Sequence, residues 1–170
     1  KKYNPLFESD ARYFIITGGR GSGKSFAVTA FLTLLTMTKG IRILFTRFTM
    51  TSAHLSIIPE FLEKIGLLGF EDVFSINKAE VVNLGNQSDI LFRGIKTSAG
   101  NQTASLKSLQ GISCWVLDEA EELIDEDIFD TIDLSIREKD IQNRVVLILN
   151  PVTKEHWIYK RFFEEKGVEA

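Results

Sequence analysis

The run Gly18-Gly19-Arg20-Gly21-Ser22-Gly23-Lys24-Ser25 has the residue types and spacing of G-x-x-x-x-G-K-[ST]. Glycines let backbone N–H groups converge on phosphate oxygens without obstruction by a Cβ, and a helix N-terminus behind them adds positive potential. In this chemistry Lys24 serves the β- and γ-phosphates and the Ser25 hydroxyl serves Mg²⁺. Gly18 to Ser25, with Phe26 one residue on, form the expected nucleotide-contacting set. The plain alternative is a glycine-rich turn with an incidental lysine. The flanks argue against it: RYFIIT at 12–17 reads as a buried strand, and Lys24 to Thr38 as the helix after it.

A second candidate lies at CWVLDE, residues 114–119, an apolar strand that ends in two carboxylates. Asp118 is placed to hold Mg²⁺, and Glu119 to polarise an attacking water as general base. A second carboxylate separates hydrolysing motors from P-loop kinases, whose nucleophile is a substrate group. Taken alone, the pair reads equally as a strand end followed by an acidic helix start. Beside a phosphate loop, the metal-and-base reading is favoured. Further along, Glu121, Glu122, Asp125, Glu126, Asp127, Asp130 and Asp133 read as a solvated helix face rather than a partner surface. A third candidate is Asn150, a polar amide closing VVLILN before Pro151. It suits sensing of a γ-phosphate, although Asn-Pro also initiates ordinary turns.

These groups need a scaffold that delivers strand ends to one place. IRILFT at 41–46 is a second β-branched run, entered from Gly40, which suits a helix C-cap. Ala53 to Ile65 reads as a helix that Pro59 should kink or restart. Phe74–Asn77, Val81–Leu84 and Ile90–Phe92 are separated by turn signals and read as antiparallel hairpin strands attached to the main sheet. Thr97 to Thr103 reads as a mobile loop, Ile124 to Arg137 as a helix, and RVVLIL at 144–149 as another buried strand. Strands alternating with helices predict an α/β fold, with a mostly parallel central sheet covered on both faces and a β-hairpin insertion.

The bulk properties fit one globular unit. The chain has 170 residues, 44% of them hydrophobic, and a net charge of −3. That balance gives no broad basic groove, so contact with nucleic acid must be local or made by another part. Cys114, the single cysteine, excludes an internal disulfide and reads as a buried thiol. No CxxC pair supports a zinc site. The longest apolar stretch, Phe26 to Met37, is shorter than the ~20 residues a bilayer span needs, so no membrane partner is expected. The chain begins at Lys1 rather than Met and reads as a piece of something longer.

GGRGSGKS at 18–25, LKSLQGIS at 106–113, WVLDEAEEL at 115–123 and LILNPVTKEHWIYKRFF at 147–163 resemble, in this order, one family. It is the ATPase domain of the large terminase subunit of tailed bacteriophages, especially its PBSX-like branch. The aromatic segment His156 to Phe163 discriminates most, because generic P-loop ATPases have no need of it. The resemblance implies a P-loop NTPase of the additional-strand, catalytic-glutamate class that uses ATP and Mg²⁺. It further implies a homo-oligomeric ring on the portal protein, served by a small terminase subunit, that drives double-stranded DNA into a procapsid in the host cytoplasm. Residues 1–170 are then the ATPase domain, without the family's C-terminal RNase H-like nuclease. Two roles are open to Arg20: stabilising transition-state charge, or pairing outward with an acid. A basic residue before the carboxylate pair serves related motors as a finger to the neighbouring subunit. Lys107 holds that place but lacks a bidentate fork, which leaves Arg93, Arg137 and Arg144 as substitutes. Arg47, at the end of the second strand, is a candidate for coupling nucleotide state to DNA grip. Tyr3, Asn4 and Pro5 are positioned for adenine contacts.

Overall fold

The computed structural model describes residues 2–50, 55, 57–97, 100–101 and 103–165. After a short helix α1 (Pro5–Glu8), the elements run β1 (Tyr13–Thr17), α2 (Lys24–Leu35), β2 (Arg42–Thr49) and α3 (Ile57–Leu67). Then follow β3 (Phe74–Ile76), β4 (Glu80–Asn83), β5 (Asp89–Thr97), β6 (Gly100–Asn101) and α4 (Thr103–Lys107). The chain continues with β7 (Cys114–Asp118), α5 (Glu126–Asp133), β8 (Arg144–Leu149) and a π-helical segment, Tyr159–Glu165. One sheet has the order β1-β8-β7-β2-β5-β4-β3, with β6 paired to β5. β1, β8, β7, β2 and β5 are parallel, while β4, β3 and β6 are antiparallel additions. β8 thus lies between the strand before the phosphate loop and the strand ending in Asp118, which is the additional strand expected of this class.

Residue alternation along the strands makes two cores. Phe14, Ile16, Ile43, Phe45, Cys114, Val116, Val146 and Ile148 face α2 and α3. Leu44, Trp115, Leu117, Val145, Leu147 and Leu149 face α4, α5 and the aromatic segment. At roughly 25 cal/mol per Å² of apolar area removed from water, such two-sided burial is the main force holding the parallel strands together. Polar groups inside it are satisfied: the Trp115 indole donates to Thr46 Oγ1 (2.9 Å), whose hydroxyl donates to the Val116 carbonyl (3.0 Å).

Ile90–Phe92 lies in the middle of β5, which pairs antiparallel with β4 as β4 does with β3, so the three runs form the expected antiparallel hairpin strands. β5 is longer than that run and also pairs in parallel with β2 over Arg42↔Asp89 to Thr49↔Lys96, which joins the hairpin strands to the main sheet. Other expectations are corrected. Pro59 sits in the first turn of α3, which runs from Ile57, where it costs no intrahelical N–H bond. Residues 53, 54 and 56 of the expected helix lie outside the described residues. The stretch expected as a loop at 97–103 contains the end of β5, the two residues of β6 and the start of α4, with 98, 99 and 102 outside the described residues. α2 ends at Leu35 rather than Thr38. Thr36 is its C-cap, and the Asn83 and Asn86 amides donate to the Thr36 carbonyl (3.2 and 2.9 Å), so the hairpin caps the phosphate-loop helix.

The acidic helix is also shorter than 124–137. Asp125 caps α5 by accepting from the Asp127 N–H (2.9 Å). Its face is not wholly solvated. Asp133 is buried and accepts from Arg12 and Tyr13 (both 2.6 Å), and Glu126 and Asp130 hold Arg161 at 3.1 and 2.5 Å.

Candidate nucleotide site

The C-terminal ends of the parallel strands bring the sequence motifs to one edge of the sheet. Between them opens a cleft of about 500 Å³, lined by Gly19 to Ser25, Arg47, Glu60, Asp118, Glu119 and Asn150. Its volume is in the range of ordinary small-molecule sites. Gly18 and Phe26 flank this lining and do not belong to it, and neither do Tyr3, Asn4 and Pro5. Tyr3 instead donates its hydroxyl to the Ser22 carbonyl (3.0 Å), bracing the loop from behind.

Gly21 (φ 74°) and Gly23 (φ 80°) supply the left-handed turns that a side chain would strain, and α2 starts immediately after Gly23. Lys24 Nζ donates to the Gly18 and Gly19 carbonyls and to Asn150 Oδ1 (3.4 Å). The Ser22 hydroxyl is buried without a hydrogen-bond partner, in a loop built to receive acceptor oxygens. Arg20 is exposed on the rim.

Asp118 ends β7 directly beside Arg47 of β2, its register partner. Arg47 donates from Nε to Asp118 Oδ2 (2.9 Å), with Nη2 also 2.9 Å from that oxygen, and the Glu119 N–H donates to Oδ1 (3.0 Å). Glu119 follows in the left-handed region (φ 51°, ψ 46°), an uncommon conformation for glutamate that turns its backbone sharply out of the strand. Partial burial raises the Glu119 pKa. The Arg47 charge opposes that shift, and Asp118, Glu122 and Glu121 add to it. A carboxylate made more basic by partial burial, and facing a phosphate-loop cleft, suits general-base work.

The candidate metal ligands fit Mg²⁺ in kind. A serine hydroxyl and a carboxylate are hard oxygen donors, and both line the cleft. Each also has a protein partner: Ser25 donates to Glu60 Oε1 on α3 (2.9 Å), and Asp118 accepts from Arg47. Glu60 in turn accepts from Lys64 (3.1 Å). Burial pushes the Glu60 pKa up, but the bonds from Ser25 and Lys64 and the charges of Lys64 and Arg47 outweigh it and hold it low.

A sequence profile of the phage terminase large subunit matches residues 10–169. The chain belongs to that family. No curated protein matches it. Among solved structures, it is similar to the large terminase from a thermophilic bacteriophage, with 11% identity and a TM-score of 0.73 over 97% of this chain and 42% of that one. The same terminase in complex with ATP-gamma-S gives 12% identity and 0.68, over 97% and 41%. The viral genome packaging motor assembly of bacteriophage Phi-29 gives 15% and 0.70, over 94% and 49%. At these identities the likeness establishes the fold. The chain spans less than half the length of these relatives.

Two residues that contact the site carry no motif signal. Glu60 belongs to a helix thirty-odd positions from the phosphate loop, and only the fold brings it to Ser25. Glu121 sat in the acidic run but accepts the Asn150 amide (2.8 Å) and backbone N–H (3.3 Å). A carboxylate needs a donor and an ammonium needs an acceptor, so Asn150 must turn its NH₂ to Glu121 and its oxygen to Lys24. The segment after Asn150 is pinned to the same turn: His156 Nε2 lies 3.0 Å from the Glu121 carbonyl, and the Trp157 indole donates to the Leu123 carbonyl (2.6 Å). Lys107, Arg93, Arg137 and Arg144 do not line this cleft. Lys107 ends α4 in an exposed position, whereas Arg144 starts β8, at the opposite edge of the sheet from the site.

Proposed function

We propose that this chain is the motor domain of a large terminase, hydrolysing ATP with Mg²⁺ to drive double-stranded DNA into a phage procapsid. The observation that carries the reading is the convergence of Lys24, Ser25, Asp118, Glu119 and Asn150 on one cleft. Gly18 to Phe26 bind the triphosphate, with Lys24 on its β- and γ-phosphates and Ser25 and Asp118 as metal ligands. Mg²⁺ supplies Lewis-acid polarisation of the phosphoryl oxygens when bound. Glu119 takes the proton of the attacking water. Arg20, on the exposed rim, adds positive charge at the phosphates. Asn150 senses the γ-phosphate through Lys24.

Residues 1–170 act as one ATPase domain, working in a homo-oligomeric ring on the portal protein, with the small terminase subunit as a further partner and the host cytoplasm as the setting. Lys107, exposed and outside its own cleft, is the candidate finger to a neighbouring subunit. Family membership, and the place of the Phi-29 relative in a genome packaging motor, support this assignment.

The test is Mg²⁺-dependent ATP turnover by wild type and Glu119→Gln, with ATP binding measured on both. The variant should bind ATP as wild type does and lose turnover by about 10²–10⁴-fold, the usual worth of a general base. Equal turnover by the two proteins would remove Glu119 from the mechanism. Stimulation by duplex but not single-stranded DNA then supports the packaging role.

A further inference from the structure

Arg47 and Glu60 are engaged by the two side chains assigned to the metal. Asp118 has both carboxylate oxygens occupied, Oδ2 by two Arg47 nitrogens and Oδ1 by the Glu119 N–H. Ser25 has its hydroxyl proton committed to Glu60. A cation approaching Asp118 through Oδ2 must therefore displace the Arg47 guanidinium, whereas the lone pairs of Ser25 Oγ stay open to it while the proton is donated to Glu60. Arg47 and Glu60 carry opposite charges, line the same cleft, and already interact across it.

We infer that Arg47 and Glu60 form a partner-exchange switch. Metal arrival replaces the contact Arg47–Asp118 by a metal contact, and the freed Arg47 pairs with the open oxygen of Glu60, which keeps its bond from Ser25. The inference rests on the assignment of Ser25 and Asp118 as metal ligands.

Three physical arguments support the exchange. The Arg47–Asp118 pair is mostly shielded, with side-chain exposures of 22% and 17%, so a guanidinium removed from Asp118 needs another anion close by. Glu60 is that anion. Its bond from Lys64 leaves a carboxylate oxygen available, since both the Lys64 and Ser25 contacts use Oε1. Finally, the register Arg47↔Asp118 places the guanidinium on a strand end, where a rotamer change suffices and the ladder need not break. The consequence is a link from the metal to α3. Ligand binding gives Glu60 a second charge partner at the end of β2, beside Lys64 on its own helix. Arg47 is in this sense a displaceable counter-ion, a positioning residue rather than a catalytic one.

The experiment measures equilibrium binding of a fluorescent, slowly hydrolysed ATP analogue to the full 170-residue chain as Mg²⁺ is titrated. Wild type should show Mg²⁺-dependent affinity. Arg47→Met keeps the length of the side chain and removes the competing charge, so half-saturating Mg²⁺ should fall by about tenfold, the scale on which one adjacent opposite charge acts on a carboxylate. Arg47→Lys should stay near wild type. Glu60→Gln removes the alternative partner and should raise the Mg²⁺ requirement in the wild-type background but not in Arg47→Met. The same half-saturating Mg²⁺ in wild type and a folded Arg47→Met, or a higher one in the variant, overturns the exchange while leaving the ligand assignment standing. Should Arg47→Met fail to fold, an unchanged requirement in Glu60→Gln overturns it equally. Wild-type binding that is indifferent to Mg²⁺ removes the ligand assignment, and the exchange with it.

Discussion

At the scale of single residues, the site is a set of opposed charges whose balance is set by burial. Glu119 illustrates this: desolvation raises its pKa, and the Arg47 charge restrains the rise. A ¹³C titration of the glutamate carboxyls in metal-free protein should place Glu119 above the ordinary value of 4.5, and Arg47→Met should move it higher still. A lower value in the variant would mean that Arg47 does not face this carboxyl. Because Glu119 must be ionised to act as base, the acid limb of the turnover profile should also lie above that of an ordinary glutamate, with activity lost as pH falls through it. The motif residues were legible because phosphate and metal chemistry restricts them to few types at fixed spacing. Glu60 was not, since a carboxylate on a surface helix has no signature until the fold sets it against Ser25. Arg20 was legible as a motif position, and it lines the cleft from an exposed place.

At the scale of elements, the telling junction is between the turn at 120–123 and the segment after β8. Trp157 donates to the Leu123 carbonyl and lies 4.8 Å from the Phe129 ring, which in turn lies 5.1 Å from Trp115. An aromatic stack therefore runs from the strand that ends in Asp118, through α5, to the C-terminal segment. Trp157→Ala should cost about 3–5 kcal/mol, as deletion of a large buried aromatic does, read from denaturant midpoints at constant slope. Trp157→Phe keeps a ring but loses the indole bond, and should cost about 1–3 kcal/mol for the orphaned carbonyl. If the two variants were equally stable, the hydrogen bond would carry the whole effect and the stacking none. The sequence made this segment conspicuous through its aromatics. Burial of Trp157, Ile158 and Phe162 docks it on the sheet, while its π-helical winding depends on packing that periodicity cannot express. The antiparallel pairing of β3, β4 and β5 was legible from the turn signals between them, whereas the parallel pairing of β5 with β2 was not, since nothing local in Ile90–Phe92 names the strand on its other edge.

At the scale of the whole molecule, five parallel strands buried on both faces make the centre of the sheet the last region to open. Cys114 marks that centre: β7 lies between β2 and β8, and the thiol is fully buried with its pKa pushed up to about 12 by desolvation. It should resist thiol reagents in the folded protein and react at a rate that tracks global unfolding, slowing as nucleotide stabilises the native state. The same burial makes stability depend on alkaline pH. A thiol whose folded pKa lies above its ordinary value of 9.0 favours the native state fully below pH 9, and this contribution is lost as pH rises from 9 toward about 12. Tyr13 shifts in the same direction, since burial and then the bond to Asp133 favour its neutral form, so wild type alone cannot apportion the loss. The comparison that isolates the thiol is wild type against Cys114→Ala, with urea midpoints measured at pH 8 and at pH 10.5. The alanine leaves a cavity and should be less stable at pH 8, but the gap between the two proteins should narrow at pH 10.5, because only wild type must keep a thiol neutral there. A gap that stays constant would mean that the centre of the sheet admits solvent to the sulfur, and that the two cores are less tightly joined across β7 than their packing implies.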